Sequence, residues 1–217
     1  DPPEATIPFC TLHNFPHAIE HTVQWAMDLF HGTFRTDAES ANAYVADAPA
    51  FVASLASSGG QRDRVERLLR ALALERPASF GDCVAWARLR FQDLFHNAIA
   101  QLLASFPRDA LTSTGTPFWS GHKRAPTPLV FSADDPMHLD FVVCAANLRA
   151  EIYGLSGSRD LDAIRAMLAD VVVPPFVPVV PSAGGASVRP IAVAESGRLR
   201  ASRSWTATRP FFSRALK

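Results

Sequence analysis

Apolar residues recur every three or four positions over most of the chain, and this spacing predicts amphipathic α-helices. The first helix is expected to carry Pro16 in its first turn, with Asn14 as its cap. Its predicted core face holds the apolar residues Ile19, Val23, Ala26, Phe30 and Phe34, widened by Trp25 and Leu29. Its predicted polar face holds His17, His21, Gln24, Asp28 and His31.

Capping signals divide the remaining pattern into further helices. Thr36 and Glu39 are spaced as a capping box, which would open a short helix. Ser79 and Asp82 form a second capping box, which would open the longest apolar run, ending near residue 107. Other predicted helix starts are Asp47, Asp135 with Pro136, and Ser158. The pattern therefore predicts an all-α, multi-helix domain.

A long irregular loop interrupts the helical pattern between about residues 107 and 134. Its centre, residues 112–131, is rich in Gly, Ser, Thr and Pro. Loops of this length inside compact domains are often functional. The segment also contains Phe118 and Trp119, which we expect to pack onto the helical body.

The chain ends in a Pro-rich and basic extension. The proline density over residues 172–185 excludes a helix and disfavours an inner strand. Residues 187–217 carry six Arg and one Lys against one Glu. We therefore divide the chain into a helical domain, residues 1–178, and a tail, residues 179–217.

Charge and composition narrow the classes of function. Lys and Arg together number 21, as do Asp and Glu, so the net charge is zero and no nucleic-acid partner is expected. No apolar run approaches the ~20 residues that span a bilayer, so no membrane partner is expected. The first residues lack a signal-peptide pattern and an initiator Met, so we interpret the chain as a piece of a longer protein.

Three widely spaced cysteines, Cys10, Cys83 and Cys144, favour a reducing setting, cytosolic or nuclear. Cys83 and Cys144 lie within helical periodicity, so both are expected to be buried and structural. Cys10 lies in a loop before the first helix, whose positive dipole end favours a thiolate. A cysteine protease would need His13 and Asn14 as partners, but their sequence proximity defines no geometry.

The helix after Cys10 offers a second chemistry, because His17, Glu20 and His21 match the H-x-x-E-H pattern of zinc hydrolases. Two imidazoles one turn apart would hold the metal, and the Glu would activate its bound water. The acidic candidates for a third ligand are Glu66, Glu75 and Asp82. The competing interpretation is a solvated helix face, since so short a pattern arises by chance.

Several strings, in order along residues 1 to about 178, resemble one protein family. Residues 7–26, IPFCTLHNFPHAIEHTVQWA, are similar to the active-site segment of eukaryotic ubiquitin-activating enzymes. Further similar strings are DCVAWA at 82–87, LTS at 111–113, PFWSGHKRAP at 117–126, HLD at 138–140, AANL at 145–148 and YGL at 153–155. The chain resembles the second catalytic cysteine half-domain of that family.

The resemblance implies that Cys10 accepts ubiquitin from its acyl-adenylate as a thioester and passes it to a conjugating enzyme by transthiolation. In this interpretation Thr11 and Asn14 supply hydrogen-bond donors to the developing oxyanion. The H-x-x-E-H pattern becomes incidental, because the family pattern does not need His at position 17. His122 and Met27 depart from the family pattern, which usually has Pro and a basic residue there.

The resemblance also implies the cofactors and partners. The sequence has no Gly-rich nucleotide loop, so this fragment is expected to hold no cofactor, with ATP and magnesium bound by adenylation domains of the parent chain. Expected partners are ubiquitin, ubiquitin-conjugating enzymes and those adenylation domains, in the cytoplasm and nucleus. The tail would be a crossover segment or a mobile extension. The competing hypothesis is a non-catalytic helical interaction module that presents residues 112–131 and the basic tail.

Overall fold

The computed structural model describes residues 16–56 and 59–179 of the chain. The predictions for Cys10, Thr11, Asn14 and the basic tail lie outside these residues, and the boundary at residue 178 also stays a prediction. Within the described ranges, the chain forms two compact units. The first contains residues 16–29, 90–131 and 173–179, and the second contains residues 30–56, 59–89 and 132–172.

Helices make up the regular structure of the described residues, and the predicted all-α fold is confirmed. The α-helices are α1 (Ile19–Phe30), α2 (Asp37–Ala46), α3 (Ala48–Ala56), α4 (Gln61–Leu69), α5 (Phe80–Gln92), α6 (Ala98–Ser105), α7 (Pro136–Ile152) and α8 (Leu161–Ala169). π-Helical turns occupy His31–Thr36, Arg70–Leu74 and Asp93–Asn97. None of the described helices combines the length and apolar character needed to cross a bilayer.

Three predicted helix starts are confirmed by their capping hydrogen bonds. Asp47 Oδ1 accepts the Ala50 N–H at 2.9 Å before α3. At α5 the capping box is reciprocal, because the Ser79 N–H donates to Asp82 Oδ2 at 2.9 Å and the Asp82 N–H donates to Ser79 Oγ at 3.3 Å. The start of α7 combines the Asp135 cap with proline in the first turn, as predicted.

The predicted capping box at Thr36 is wrong. Thr36 has helical backbone angles, φ −60° and ψ −43°, and its side chain makes no capping hydrogen bond. The π-helical turn therefore runs directly into α2, and Glu39 accepts from Arg35 Nε at 2.8 Å instead. The start predicted at Ser158 is also displaced, since Asp160 caps α8 and Ser158 Oγ only accepts the Asp160 N–H at 3.1 Å.

The core of the second unit is formed largely by α5, α7 and α8. Val84, Val142 and Ile164, one from each helix, are completely buried. A neighbouring cluster joins residues from α2, α3, α4 and α7, namely Ala41, Phe51, Leu55, Leu68 and Ile152. These positions follow the helical periodicity of the sequence, so the burial of apolar area drives the packing of this unit.

A buried cation, Arg149 of α7, lies within this core. Its guanidinium carbon lies 4.2 Å from the Trp86 ring centroid and 5.2 Å from that of Tyr153. It also donates to the Glu75 carbonyl oxygen, and its Nη2 lies 3.8 Å from Glu75 Oε2. The Tyr153 hydroxyl donates to the Ala71 carbonyl at 2.9 Å. Arg149 thus ties the end of the second π-helical turn to α5 and α7.

The predicted core face of α1 is wrong along the whole helix, because Ala26 and Phe30 are exposed as well as the residues of the first turns. Ile19 is 70% exposed and Val23 is 51% exposed. Trp25 and Leu29, which lie to one side of that face, are half-buried. The Trp25 ring lies 6.3 Å from the Phe95 ring between centroids. Because α1 carries apolar residues on two faces, periodicity alone does not decide which one packs, and the face with the large indole buries more area.

Candidate catalytic-cysteine site

The described part of the site begins just after the predicted nucleophile. Cys10, Thr11 and Asn14 lie outside the described residues, so their roles stay predictions. Pro16 and His17 are the first residues described after them. Pro16 precedes the helix instead of occupying its first turn, because α1 begins at Ile19. The geometry of the site is therefore built from the start of α1 and from the segments that contact it.

A histidine side chain satisfies a backbone donor at the start of α1. The His17 N–H donates to His21 Nδ1 at 3.3 Å, and the Thr22 N–H donates to the Ala18 carbonyl at 3.4 Å. The first N–H groups of a helix lack partners within the helix. His21 therefore acts as the reaching-back side chain of a capping box does. In this pairing Nδ1 of His21 is an acceptor, so the ring proton of its neutral form resides on Nε2.

The His17 ring lies between two other imidazoles. It meets His21 edge to face, with ring centroids 4.5 Å apart and an interplanar angle of 85°. It meets His122 at 5.0 Å with an interplanar angle of 30°, so these two rings are tilted but close to stacked. His122 belongs to the segment 107–134 and lies more than a hundred residues away in sequence. Sequence periodicity gave no signal for this contact.

The first part of the 107–134 segment is anchored by aromatic side chains. The Trp119 indole N–H is within hydrogen-bonding distance of the carbonyls of Phe106 and Pro107, at 3.0 Å each. The Phe118 ring stacks on the Phe106 ring, with centroids 4.4 Å apart and planes within 5°. Lys123 Nζ lies 4.7 Å from the Phe118 centroid. Phe118 and Trp119 are both half-buried, in agreement with the expected packing.

The later part of the segment is anchored by hydrogen bonds from both side-chain and backbone donors. Arg108 Nη2 donates to the Pro126 carbonyl at 2.7 Å and to Thr127 Oγ1 at 3.2 Å. The Leu129 N–H donates to the Phe95 carbonyl at 2.8 Å. Anchors on both sides leave residues 120–124 as an exposed turn, and this turn presents His122 to His17.

The zinc interpretation gains no support from the described residues. Within residues 16–56 and 59–179, no group of three or more His, Cys, Asp or Glu side chains is arranged to hold a metal ion. Each acidic candidate for a third ligand already has another interaction. Glu66 pairs with Arg62 at 2.7 Å, Glu75 lies 3.8 Å from Arg149, and Asp82 caps α5.

The two described cysteines have opposite environments. Cys83 is completely buried in α5, and burial raises the pKa of its thiol to about 11. It therefore stays a protonated thiol at neutral pH, as its structural assignment predicted. Cys144 lies on the exposed side of α7, so the prediction that it is buried is wrong. Its neighbours Val142 and Ala145 point inward, and position 144 lies outside their stripe.

Sequence reasoning also missed the buried cation Arg149. A signal for it was present, since position 149 lies four residues after Ala145 and seven after Val142, both of which are buried. This spacing places Arg149 on the core face of α7. Arginine is usually exposed, so the residue type alone predicts exposure at position 149, and no pattern in the sequence pairs Arg149 with Trp86.

Comparisons with known proteins find one family over most of the chain. The family model described as "Ubiquitin-activating enzyme, SCCH domain" matches residues 16–184. The chain is 52% identical over 180 residues to ubiquitin-like modifier-activating enzyme 1 of Dictyostelium discoideum, and 50% identical over 180 residues to the protein of that name in Homo sapiens. It is 47% identical over 178 residues to ubiquitin-activating enzyme E1 1 of Schizosaccharomyces pombe.

These matches cover most of this chain but only a small part of each relative. Each covers 82% of this chain but only 17% to 18% of the relative, so the chain spans about a sixth of the length of the curated relatives it matches. The match nevertheless runs through both compact units, including the helices and the anchored segment after residue 106. The chain belongs to the SCCH-domain family of ubiquitin-activating enzymes.

Proposed function

We propose that this chain is the catalytic-cysteine part of a ubiquitin-activating enzyme and that Cys10 is its thioester-forming nucleophile. The observation that carries the proposal is the set of relatives about 50% identical to the chain, all named as modifier- or ubiquitin-activating enzymes. The string around Cys10, which resembles the family's active-site segment, selects this cysteine. The buried Cys83 is unsuited to the role, because its raised pKa disfavours the thiolate.

The proposed reaction has two steps, and in each step a thiolate is the nucleophile. First, the Cys10 thiolate attacks the carbonyl carbon of the acyl-adenylate at the ubiquitin C terminus. A C–S bond forms, the bond from carbon to the phosphate oxygen breaks, and AMP leaves with the electron pair. The thiol proton passes to solvent. Because the anhydride is already activated and sulfur is intrinsically nucleophilic, no resident general base is needed.

In the second step the thiolate of a conjugating enzyme attacks the same carbonyl, and Cys10 leaves as a thiolate. One thioester replaces another, so the transfer is nearly balanced in free energy. Thr11 and Asn14 are proposed to donate hydrogen bonds to the developing oxyanion. ATP and magnesium are placed on adenylation domains outside this chain, and the cytoplasm and nucleus are the proposed location.

The test replaces the sulfur in the full-length enzyme that contains this chain. With Cys10→Ala, adenylate formation, followed by ATP–pyrophosphate exchange, is expected to continue, while the reducible ubiquitin adduct disappears. The matched control is Cys144→Ala, which removes an exposed thiol from α7 and is expected to leave the adduct intact. A reducible adduct that persists in Cys10→Ala would refute the assignment. If Cys10→Ala also abolished adenylate formation, Cys10 would be needed before the thioester step, and the proposed role would be wrong.

A further inference from the structure

A proline-rich segment follows α8, and the proposed function assigns it no role. Residues 173–179 read VPPFVPV, carry no charged side chain and form neither helix nor strand. We propose that this segment is a docking surface for a partner domain with an aromatic-lined groove of the SH3 type, which binds proline-rich chain in the polyproline II conformation. The inference does not depend on the role proposed for Cys10.

The backbone of the segment is restricted to extended conformations. Pro174, Pro175 and Pro178 have φ held at about −65° by their rings. A residue that precedes proline is biased away from the helical region, and this restriction also applies to Val173 and Val177. Polyproline II needs no internal hydrogen bonds, so a chain restricted in this way adopts it without a neighbouring strand.

The exposure of the side chains repeats every three residues, which is the period of polyproline II. Val173 and Phe176, three residues apart, are half-buried. Pro174, Pro175 and Val177 are exposed, and Val177 is 80% exposed. One edge of the segment is therefore turned toward the protein, and side chains on the other two edges are open to solvent.

The outward side chains match what a groove for polyproline II reads. Pro174 with Pro175, and Val177 with Pro178, are two pairs in which an apolar residue precedes a proline. The pairs begin three residues apart, so they lie one turn apart and present the same edges. Phe176, between the pairs, is the residue turned toward the protein. Pro178 is half-buried, and a partner would cover its remaining exposed surface.

A side chain of α6 anchors the end of the segment. Gln101 Nε2 donates to the Val179 carbonyl oxygen at 2.8 Å, and Gln101 Oε1 accepts the Val179 N–H at 2.9 Å. The carboxamide thus pairs with the backbone as a neighbouring peptide group would. Both residues belong to the first compact unit. Because polyproline II has no internal hydrogen bonds, this anchor lowers the conformational entropy that a partner must remove on binding.

Other modes of peptide recognition do not fit this segment. Addition to the edge of a sheet uses successive backbone hydrogen bonds, and the prolines at positions 174, 175 and 178 have no N–H to donate. The same prolines exclude an amphipathic helix that would lie in a groove. A groove that reads charge finds no charged side chain within residues 171–179. An aromatic-lined groove, which packs against pyrrolidine rings, is the mode that fits.

Biolayer interferometry tests the proposal, with a panel of purified SH3 domains immobilised and the full-length enzyme that contains this chain in solution. At least one domain is expected to bind, and a synthetic PxxP peptide that occupies its groove is expected to displace the enzyme. Pro175→Ala and Pro178→Ala are each expected to weaken this binding about tenfold, because each removes apolar ring carbons from the contact and releases φ.

Two further variants separate the docking surface from its support. Gln101→Ala removes the anchor at Val179 but no side chain that faces the partner, so the affinity is expected to fall only about threefold. Hydrogen exchange of the Val179 N–H is expected to become faster in this variant. The matched control, Pro49→Ala, removes an exposed proline in the first turn of α3 and is expected to leave the affinity unchanged. Urea unfolding confirms that each variant is folded.

The proposal is overturned if none of the SH3 domains binds, if the two proline variants bind as tightly as the unsubstituted enzyme, or if the PxxP peptide does not displace it. Binding by WW or EVH1 domains alone, measured in the same way, would overturn the assignment of an SH3-type groove. Unchanged hydrogen exchange at Val179 in Gln101→Ala would overturn the anchoring role. Failure of the proposed function is read separately, as a ubiquitin thioester that survives Cys10→Ala.

Discussion

Replacing Arg149 by alanine tests whether a buried cation organises the second unit. The side chain is 9% exposed, and it lies against the faces of Trp86 and Tyr153. It also donates to the Glu75 backbone carbonyl and lies 3.8 Å from the Glu75 carboxylate. Burial raises the pKa of the Tyr153 phenol, so its hydroxyl remains a donor to Ala71 over the neutral range. Removal of the guanidinium would leave these partners without the group around which they pack.

The magnitude follows from the individual contacts. A hydrogen bond from a charged donor contributes about 1.5–3 kcal/mol to the free energy of unfolding. Each cation–π contact contributes about 0.5–2 kcal/mol, more when the cation is desolvated, as Arg149 is. Because these contributions overlap, we expect Arg149→Ala to lower the free energy of unfolding by about 3–5 kcal/mol. Arg149→Lys keeps the charge but loses the flat fork, and is expected to cost about 1–2 kcal/mol.

Urea unfolding of the chain, followed by tryptophan fluorescence, measures the effect. With a slope of about 2 kcal/mol per molar urea, the midpoint is expected to fall by about 1.5–2.5 M in Arg149→Ala. The control is Arg35→Ala, which removes an exposed ion pair to Glu39 with both side chains more than half exposed. Such pairs contribute about 0–1 kcal/mol, so its midpoint is expected to move little. Equal shifts in the two variants would refute the view that Arg149 organises the core.

Three other measurements follow from the described residues. A maleimide added to the native protein is expected to label Cys144 rapidly and Cys83 at least 100-fold more slowly. Mass spectrometry of the digested protein measures the labelling of each cysteine, and equal rates would contradict this prediction. Because burial raises the pKa of Cys83 to about 11, its contribution to stability is complete below the thiol's ordinary pKa near 9 and is lost as pH rises through 11. The free energy of unfolding is therefore expected to fall more steeply between pH 9 and 11 than it does in Cys83→Ala, and identical slopes in urea titrations would count against the burial argument. Asp135→Ala removes a cap that accepts two N–H groups and is expected to cost about 1 kcal/mol, whereas Thr36→Ala removes no cap and is expected to change the urea midpoint by less than half as much.

Local hydrogen-bonding rules predicted much of the fold, because a cap needs only a few adjacent residues. Asp47 and the Ser79–Asp82 pair were identified correctly for this reason. The Thr36 prediction failed because a capping pattern also occurs inside a continuous helix, where the backbone angles prevent capping. The prediction of the packed face of α1 failed for a different reason, since the choice between two apolar faces depends on distant residues such as Phe95.

The candidate site was predictable only in part. The choice of Cys10 as the nucleophile rests on the resemblance of the string around it, and it stays a prediction because Cys10 lies outside the described residues. His17 was weighed as a metal ligand, yet its described partners are two other imidazoles. The contact with His122 depends on a turn more than a hundred residues later, and its geometry follows from Gly121 and the anchored Trp119. Long-range contacts of this kind are set by tertiary packing and leave no local pattern.

The segments of the two compact units alternate along the sequence, and this order limits how the chain can be divided into fragments. Residues 16–29 and 90–131 contribute to one unit, while residues 30–89 and 132–172 contribute largely to the other. A truncation in the middle of the sequence therefore removes residues from both units, and a protease cut there separates segments that belong to the same unit. Neither half of the sequence is expected to fold by itself, and during synthesis on the ribosome each unit waits for its later segment to emerge before it can close.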